Sequence, residues 1–229
     1  MQQTIIEHCV EIPPLGLAGD LALPDNAAGI ILFAHGSGSS RHSTRNRYVA
    51  GLLQQGGFGT LLLDLLTPAE EEVDLRTRHL RFDIDLLADR LMEASVWLER
   101  EPSTRGLSIG YFGASTGGGA ALVAAAARPT MVHAVVSRGG RPDLAGTALP
   151  RVKAPTLLIV GGDDYEVIQL NRDALAKMGC EKHLAIVPGA KHLFEEPGAL
   201  EQVSQLALTW FKEHLKPSRE WLRKDRDSG

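Results

Sequence analysis

The stretch Leu107-Ser108-Ile109-Gly110-Tyr111-Phe112-Gly113-Ala114-Ser115-Thr116-Gly117-Gly118-Gly119 decides how this chain reads. An apolar run predicts a strand over residues 107–112, and the alanine-rich stretch behind the glycines predicts a helix over 116–127. Between them stands G-x-S-x-G, which places a serine at the tip of a sharp strand-to-helix turn. A residue at such a tip is held in a strained backbone conformation. Side chains two positions before and after it would collide with the strand and the helix, hence the glycines. The helix beginning at Thr116 directs free N–H groups at the same point, where they can stabilise developing negative charge. A turn serving only packing or phosphate binding is the bland alternative. Residues 113–119 match neither G-x-G-x-x-G nor the phosphate loop G-x-x-x-x-G-K-[ST], because no lysine follows.

Working outward, the same rhythm recurs. Apolar runs at 29–33, 60–65, 132–137, 156–160 and 183–187 are separated by helix-length segments, which predicts an α/β fold with a parallel sheet and crossover helices. Residues 5–12 and 15–23, joined through Pro13-Pro14, are expected to pair as an antiparallel edge. Leu80, Ile84, Leu87, Leu91, Ala94 and Leu98 form one apolar stripe, predicting a helix over 77–101 that stops at Pro102. Further helices are expected over 48–55, 167–178 and 200–215. Residues 1–215 are read as one domain, and 216–229, polar and of mixed charge, as a frayed C-terminal tail.

A serine hydroxyl is a weak nucleophile until an imidazole takes its proton, and that imidazole needs a carboxylate to hold its tautomer. In a fold of this kind the acid and the histidine follow the serine in that order, on loops after later strands. Strand 156–160 ends in Gly161-Gly162-Asp163-Asp164-Tyr165, and strand 183–187 ends in Pro188-Gly189-Ala190-Lys191-His192. Of the eight histidines, His192 alone sits in a post-strand loop downstream of the acid. His133 and His183 begin strands, and His214 ends a helix. Asp164 fits the spacing Gly-x-x-Asp-x-x-Val over Gly161, Asp164 and Val167, while Asp163 is the alternative acid or a turn cap.

Strand 29–33 runs into Ala34-His35-Gly36-Ser37-Gly38, the loop that carries the second oxyanion donor. The Ser37 and Thr116 amides are the expected pair, and His35 is expected to be structural. Gly36 and Arg138 are candidate substrate-binding residues. Arg41, Arg45, Arg47 and Arg141 are expected on the same edge, where ion pairing with Asp64, Asp143 or Glu70-Glu71-Glu72 competes with binding an acidic substrate.

Composition narrows the classes. The chain has 229 residues, 44% of them hydrophobic, with a net charge of -4 and no basic stripe, which argues against nucleic acid as a partner. Cys9 and Cys180 lie far apart with no metal-ligand spacing, so no metal or other cofactor and a reducing cytoplasm are expected. No apolar run approaches the roughly 20 residues of a membrane span, so no membrane partner is expected.

Through His35-Gly36-Ser37-Gly38, Gly113-Ala114-Ser115-Thr116-Gly117, Gly161-Gly162-Asp163-Asp164 and Gly189-Ala190-Lys191-His192, the chain resembles the dienelactone hydrolase-like branch of the α/β-hydrolases. The resemblance implies a mostly parallel sheet of about eight strands flanked by helices on both faces. It implies too a serine hydrolase that forms an acyl-enzyme on small esters, or a thioesterase, lactonase, acyltransferase or peptidase using the same residues. Dienelactone hydrolases themselves carry a cysteine nucleophile where this chain has Ser115. Only residues 138–154 separate two strands where many relatives carry a lid, so an open site for short acyl esters is expected. A non-catalytic module of the same fold and a nucleotide-binding domain are the competing readings.

Overall fold

The computed structural model describes residues 4–215; the expected tail at 216–229 lies outside them. Eight strands form one sheet: β1 (Ile5–Ile12), β2 (Leu17–Pro24), β3 (Ile30–Ala34), β4 (Gly59–Leu63), β5 (Ile109–Ala114), β6 (Val132–Arg138), β7 (Thr156–Gly161) and β8 (Lys182–Val187). Their spatial order is β1-β2-β4-β3-β5-β6-β7-β8. β1 pairs antiparallel with β2, and β2 with β4, while every pairing from β4 to β8 is parallel. The antiparallel edge and the parallel body are those expected from the sequence.

Both faces of the sheet are covered because its strands are apolar on both sides. In β3, Ile30, Leu32 and Ala34 enter one core with α3 (Ile84–Arg100) and α4 (Thr116–Ala127). Ile31 and Phe33 point the other way, into a second core with α1 (Thr44–Gln55) and α6 (Ala199–His214). This alternation is the two-residue period of a strand. The remaining helices are α2 (Pro68–Thr77) and α5 (Tyr165–Lys177).

The expected helix over 77–101 is a break followed by a shorter helix. α2 ends at Arg78 in the left-handed region (φ 58°), a 3-10 turn covers Leu80–Phe82, and Asp83 caps α3 by accepting from the Leu86 N–H at 3.1 Å. The buried Asp74 carboxylate holds this corner by accepting from Arg81 Nε at 2.5 Å and from the Arg81 N–H at 3.1 Å. α1 begins at Thr44 rather than residue 48, since Ser43 caps it by accepting from the Asn46 N–H. Between β6 and β7 the chain forms only a 3-10 segment, Pro142–Arg151, with no inserted lid.

Candidate active site

The strand order places β3, β5, β7 and β8 so that the loops after them meet at the carboxyl edge of the sheet, where parallel α/β sheets hold their ligands. Ser115 stands between β5 and α4 with φ 51° and ψ -120°, a conformation costing a non-glycine residue about 1–3 kcal/mol. The turn exists only because its flanks lack side chains: a Cβ on Gly117 would lie 2.3 Å from the Ala34 carbonyl oxygen, and one on Gly113 2.5 Å from that of Gly117. On the far side, the Ser115 N–H donates to the Arg138 carbonyl at 3.2 Å, and the Arg141 N–H donates to the Ser115 carbonyl at 3.0 Å.

Asp164, at the amino end of α5, and His192, after β8, are hydrogen-bonded between Oδ2 and Nδ1 at 2.7 Å. Their loops are fastened to one another by Gly162 N–H to the Val187 carbonyl (2.8 Å) and Asp163 N–H to the Ala190 carbonyl (3.0 Å). A Cβ on Gly161 would sit 2.3 Å from the Ala190 carbonyl oxygen, so the close approach of the loops depends on that glycine. Asp163 is exposed and its backbone serves the loop, leaving Asp164 as the carboxylate on His192.

Ser115 and His192 line one cavity of about 230 Å3, together with Gly36, Ser37, Arg45, Asn46 and Arg138. Ser115 and His192 form no direct hydrogen bond among the described residues; such bonds commonly tighten only with substrate in place. Gly36 lies against the serine, a Cβ there falling 3.1 Å from Ser115 Cβ. Ser37 lines this cavity and Thr116 directly follows Ser115, and neither amide enters a turn or loop hydrogen bond among the described residues.

His35 is locked into the scaffold as expected. Its Nδ1 bonds the Gly36 carbonyl at 2.9 Å and its Nε2 accepts from the Leu65 N–H at 3.1 Å, fixing a neutral ring. Burial is the main cause that holds its pKa below the usual histidine value. His133 and His183 are exposed on their strands, and His214 closes α6 against the Trp210 ring.

The arginines divide. Arg41 pairs with Asp64 and Asp20, Arg47 with Asp20, and Arg141 with Asp143, so ion pairing accounts for all three. Arg138 is different: it is 7% exposed, its Nη2 donates to Asn46 Oδ1 at 3.3 Å, and its Nε and Nη1 find no acceptor among the described residues. Sequence reasoning passed over Asn46 and Phe194, which flank this guanidinium; their only signal was proximity to Arg45 and His192 along the chain. One group with metal-ligand spacing occurs among the described residues, Glu181, Glu213 and His214, and it lies at the opposite, amino edge of β8.

This sheet order, with a serine on a strained turn and an Asp-His pair on later loops, defines an α/β-hydrolase. The chain belongs to the dienelactone hydrolase family, whose sequence profile matches residues 17–215. It is 63% identical to a dienelactone hydrolase from Anabaena variabilis ATCC 29413, whose crystal structure superposes with a TM-score of 0.90 over 94% of this chain and 100% of that one. An esterase from Butyrivibrio proteoclasticus, Est1E, shares the fold at 14% identity and a TM-score of 0.73, covering 90% of this chain and 98% of that one. Two Mycobacterium tuberculosis proteins, from strains CDC 1551 / Oshkosh and H37Rv, are 60% identical over 202 residues, 88% of this chain. Their names assign them provisionally to the phosphoribosyl transferases, and the chain spans 45% of their length. Among the described residues no helix is long and apolar enough to cross a membrane.

Proposed function

We propose that this chain is a serine hydrolase for small ester-like carbonyl compounds, with Ser115 as nucleophile, His192 as general base and Asp164 as its orienting acid. The observation that carries the reading is the 2.7 Å bond from Asp164 to His192, whose ring lines the cavity that also holds Ser115. Asp164 accepts the Nδ1 proton, so Nε2 carries the lone pair that takes the Ser115 proton as the oxygen attacks the carbonyl carbon. The tetrahedral oxyanion is received by the Ser37 and Thr116 amides, each of which contributes about 3–4 kcal/mol where such donors have been removed from other hydrolases. Collapse expels the alcohol, protonated by His192. A water activated by the same imidazole then releases the acid and restores Ser115.

Thioesterase, lactonase, acyltransferase and peptidase chemistry would use the same atoms, and a panel of p-nitrophenyl esters, thioesters and lactones ranks them. We assign the transferase name of the mycobacterial relatives to the part of those proteins this chain does not cover, because the covered part matches the dienelactone hydrolase family over residues 17–215. The two free thiols, Cys9 and Cys180, support a place in the reducing cytoplasm. A fluorophosphonate probe is expected to label the wild-type chain and spare Ser115→Ala with its melting temperature retained. Labelling of the alanine variant refutes Ser115 as the nucleophile, and no labelling of the wild type refutes the hydrolase reading and favours a binding module.

A further inference from the structure

The amino end of β8 carries a cluster of side chains that the candidate active site does not use. Glu181 stands immediately before the strand, and Glu213 and His214 close α6. One ligand-capable atom from each, two carboxylate oxygens and an imidazole nitrogen, lies within 4.8 Å of the others. The His214 side chain is 10% exposed, and its Nε2 is buried with no hydrogen-bond partner among the described residues. That nitrogen faces the cluster: Glu181 Oε1 stands 3.7 Å away, beyond the reach of a hydrogen bond. A simple ion pair, with Nε2–H donating to the carboxylate, would close to about 2.8 Å. A buried polar atom left in this way calls for a third party.

The chain's own cations do not supply it. Among the described residues no lysine or arginine pairs with Glu181 or Glu213. Lys182, next along the chain, turns its Nζ to the Leu175 and Met178 carbonyls at 2.7 and 2.5 Å, at the end of α5. The backbone nevertheless holds the cluster in place from both sides. The Glu181 carbonyl accepts from the Thr156 N–H at 2.9 Å. The His214 ring lies against Trp210, with centroids 4.3 Å apart, and Trp210 Nε1 donates to the Pro155 carbonyl at 3.4 Å. Both flanks are thus fastened to the start of β7.

We propose that Glu181, Glu213 and His214 bind a divalent transition-metal ion of the zinc class, which clamps the end of α6 to the start of β8. One imidazole with two carboxylates is a mixed donor set that suits zinc better than Mg2+ or Ca2+, which prefer oxygen alone. Zinc bonds of about 2.0–2.2 Å set ligand atoms roughly 3.4 Å apart in a tetrahedron, so the carboxylates close in by about 1 Å, and water takes the fourth position. Glu181, 61% exposed, gives the ion its way in. β8 is the last strand of the sheet and is paired on one side only, so a clamp here secures an edge that β7 alone holds. The site lies at the opposite edge from Ser115, and the inference is independent of the hydrolase reading.

The test is calorimetric titration of the full chain, free of any affinity tag and stripped with chelator, with ZnCl2, together with melting curves in Zn2+, Mg2+ and Ca2+. One zinc per chain is expected, with a Kd in the micromolar range or tighter. Saturating Zn2+ raises the melting temperature, because the ion binds the folded chain, while Mg2+ and Ca2+ at the same concentration do not. Glu181→Gln and His214→Gln each weaken zinc binding at least 10-fold and remove the thermal shift. The exposed Glu181 position carries the comparison if His214→Gln fails to fold. Absence of a saturable one-to-one event in the wild type overturns the site, as does zinc binding that survives Glu181→Gln. An equal thermal shift in Ca2+ overturns the assignment to a zinc-class ion.

Discussion

Gly117 has no space for a side chain, because a methyl group there would occupy the position of the Ala34 carbonyl. Gly117→Ala is therefore expected to lower the unfolding free energy by about 1–3 kcal/mol, as overpacking does, measured by urea denaturation. The two adjacent aspartates make a sharper pair. Asp164→Asn removes the acceptor of the His192 Nδ1 proton and is expected to cut ester turnover by about 10^4-fold, the cost of a wrongly held tautomer. Asp163→Asn changes an exposed side chain, and steady-state kinetics should show a loss of no more than a few-fold. His35 links the site to pH. Since burial lowers its folded pKa, the unfolded chain binds a proton near pH 6.5 while the folded ring resists it. Stability from this residue is thus present above about pH 6.5 and declines as pH falls from there toward the folded pKa. Chemical denaturation between pH 7.5 and 5 should show that decline, with a shallower slope in His35→Asn.

At the scale of elements, α2 is anchored by a reciprocal cap: Thr67 Oγ1 accepts from the Glu70 N–H at 3.3 Å, and Glu70 Oε2 accepts from the Thr67 N–H at 2.8 Å, with Pro68 opening the helix. Thr67→Ala is expected to destabilise the protein by about 1 kcal/mol, seen as a lowered melting temperature. The Thr67-Pro68-Ala69-Glu70 spacing is a capping signal, but the helix expected from the apolar stripe began only at residue 77, so α2 itself was missed. The break at residues 78–83 was not legible. It depends on Asp74 reaching Arg81, a pairing between two charged residues whose meeting is decided by how α2 turns onto the sheet.

For the whole molecule, the strand order and the short Pro142–Arg151 segment leave the cavity of about 230 Å3 without an inserted cover. Acetyl and butyryl esters are expected to be better substrates than esters of eight or more carbons, and a kcat/KM series over chain length checks this. The alternating apolar runs, the glycines around Ser115 and the order serine, aspartate, histidine were written along the chain, because local periodicity and turn sterics act over a few residues. Which aspartate meets His192, which acids meet Arg41 and Arg47, and the isolation of Arg138 beside Arg45 were decided by the tertiary structure. Which charges meet depends on loops from distant parts of the chain converging at one sheet edge, and no spacing within a single segment encodes that distance.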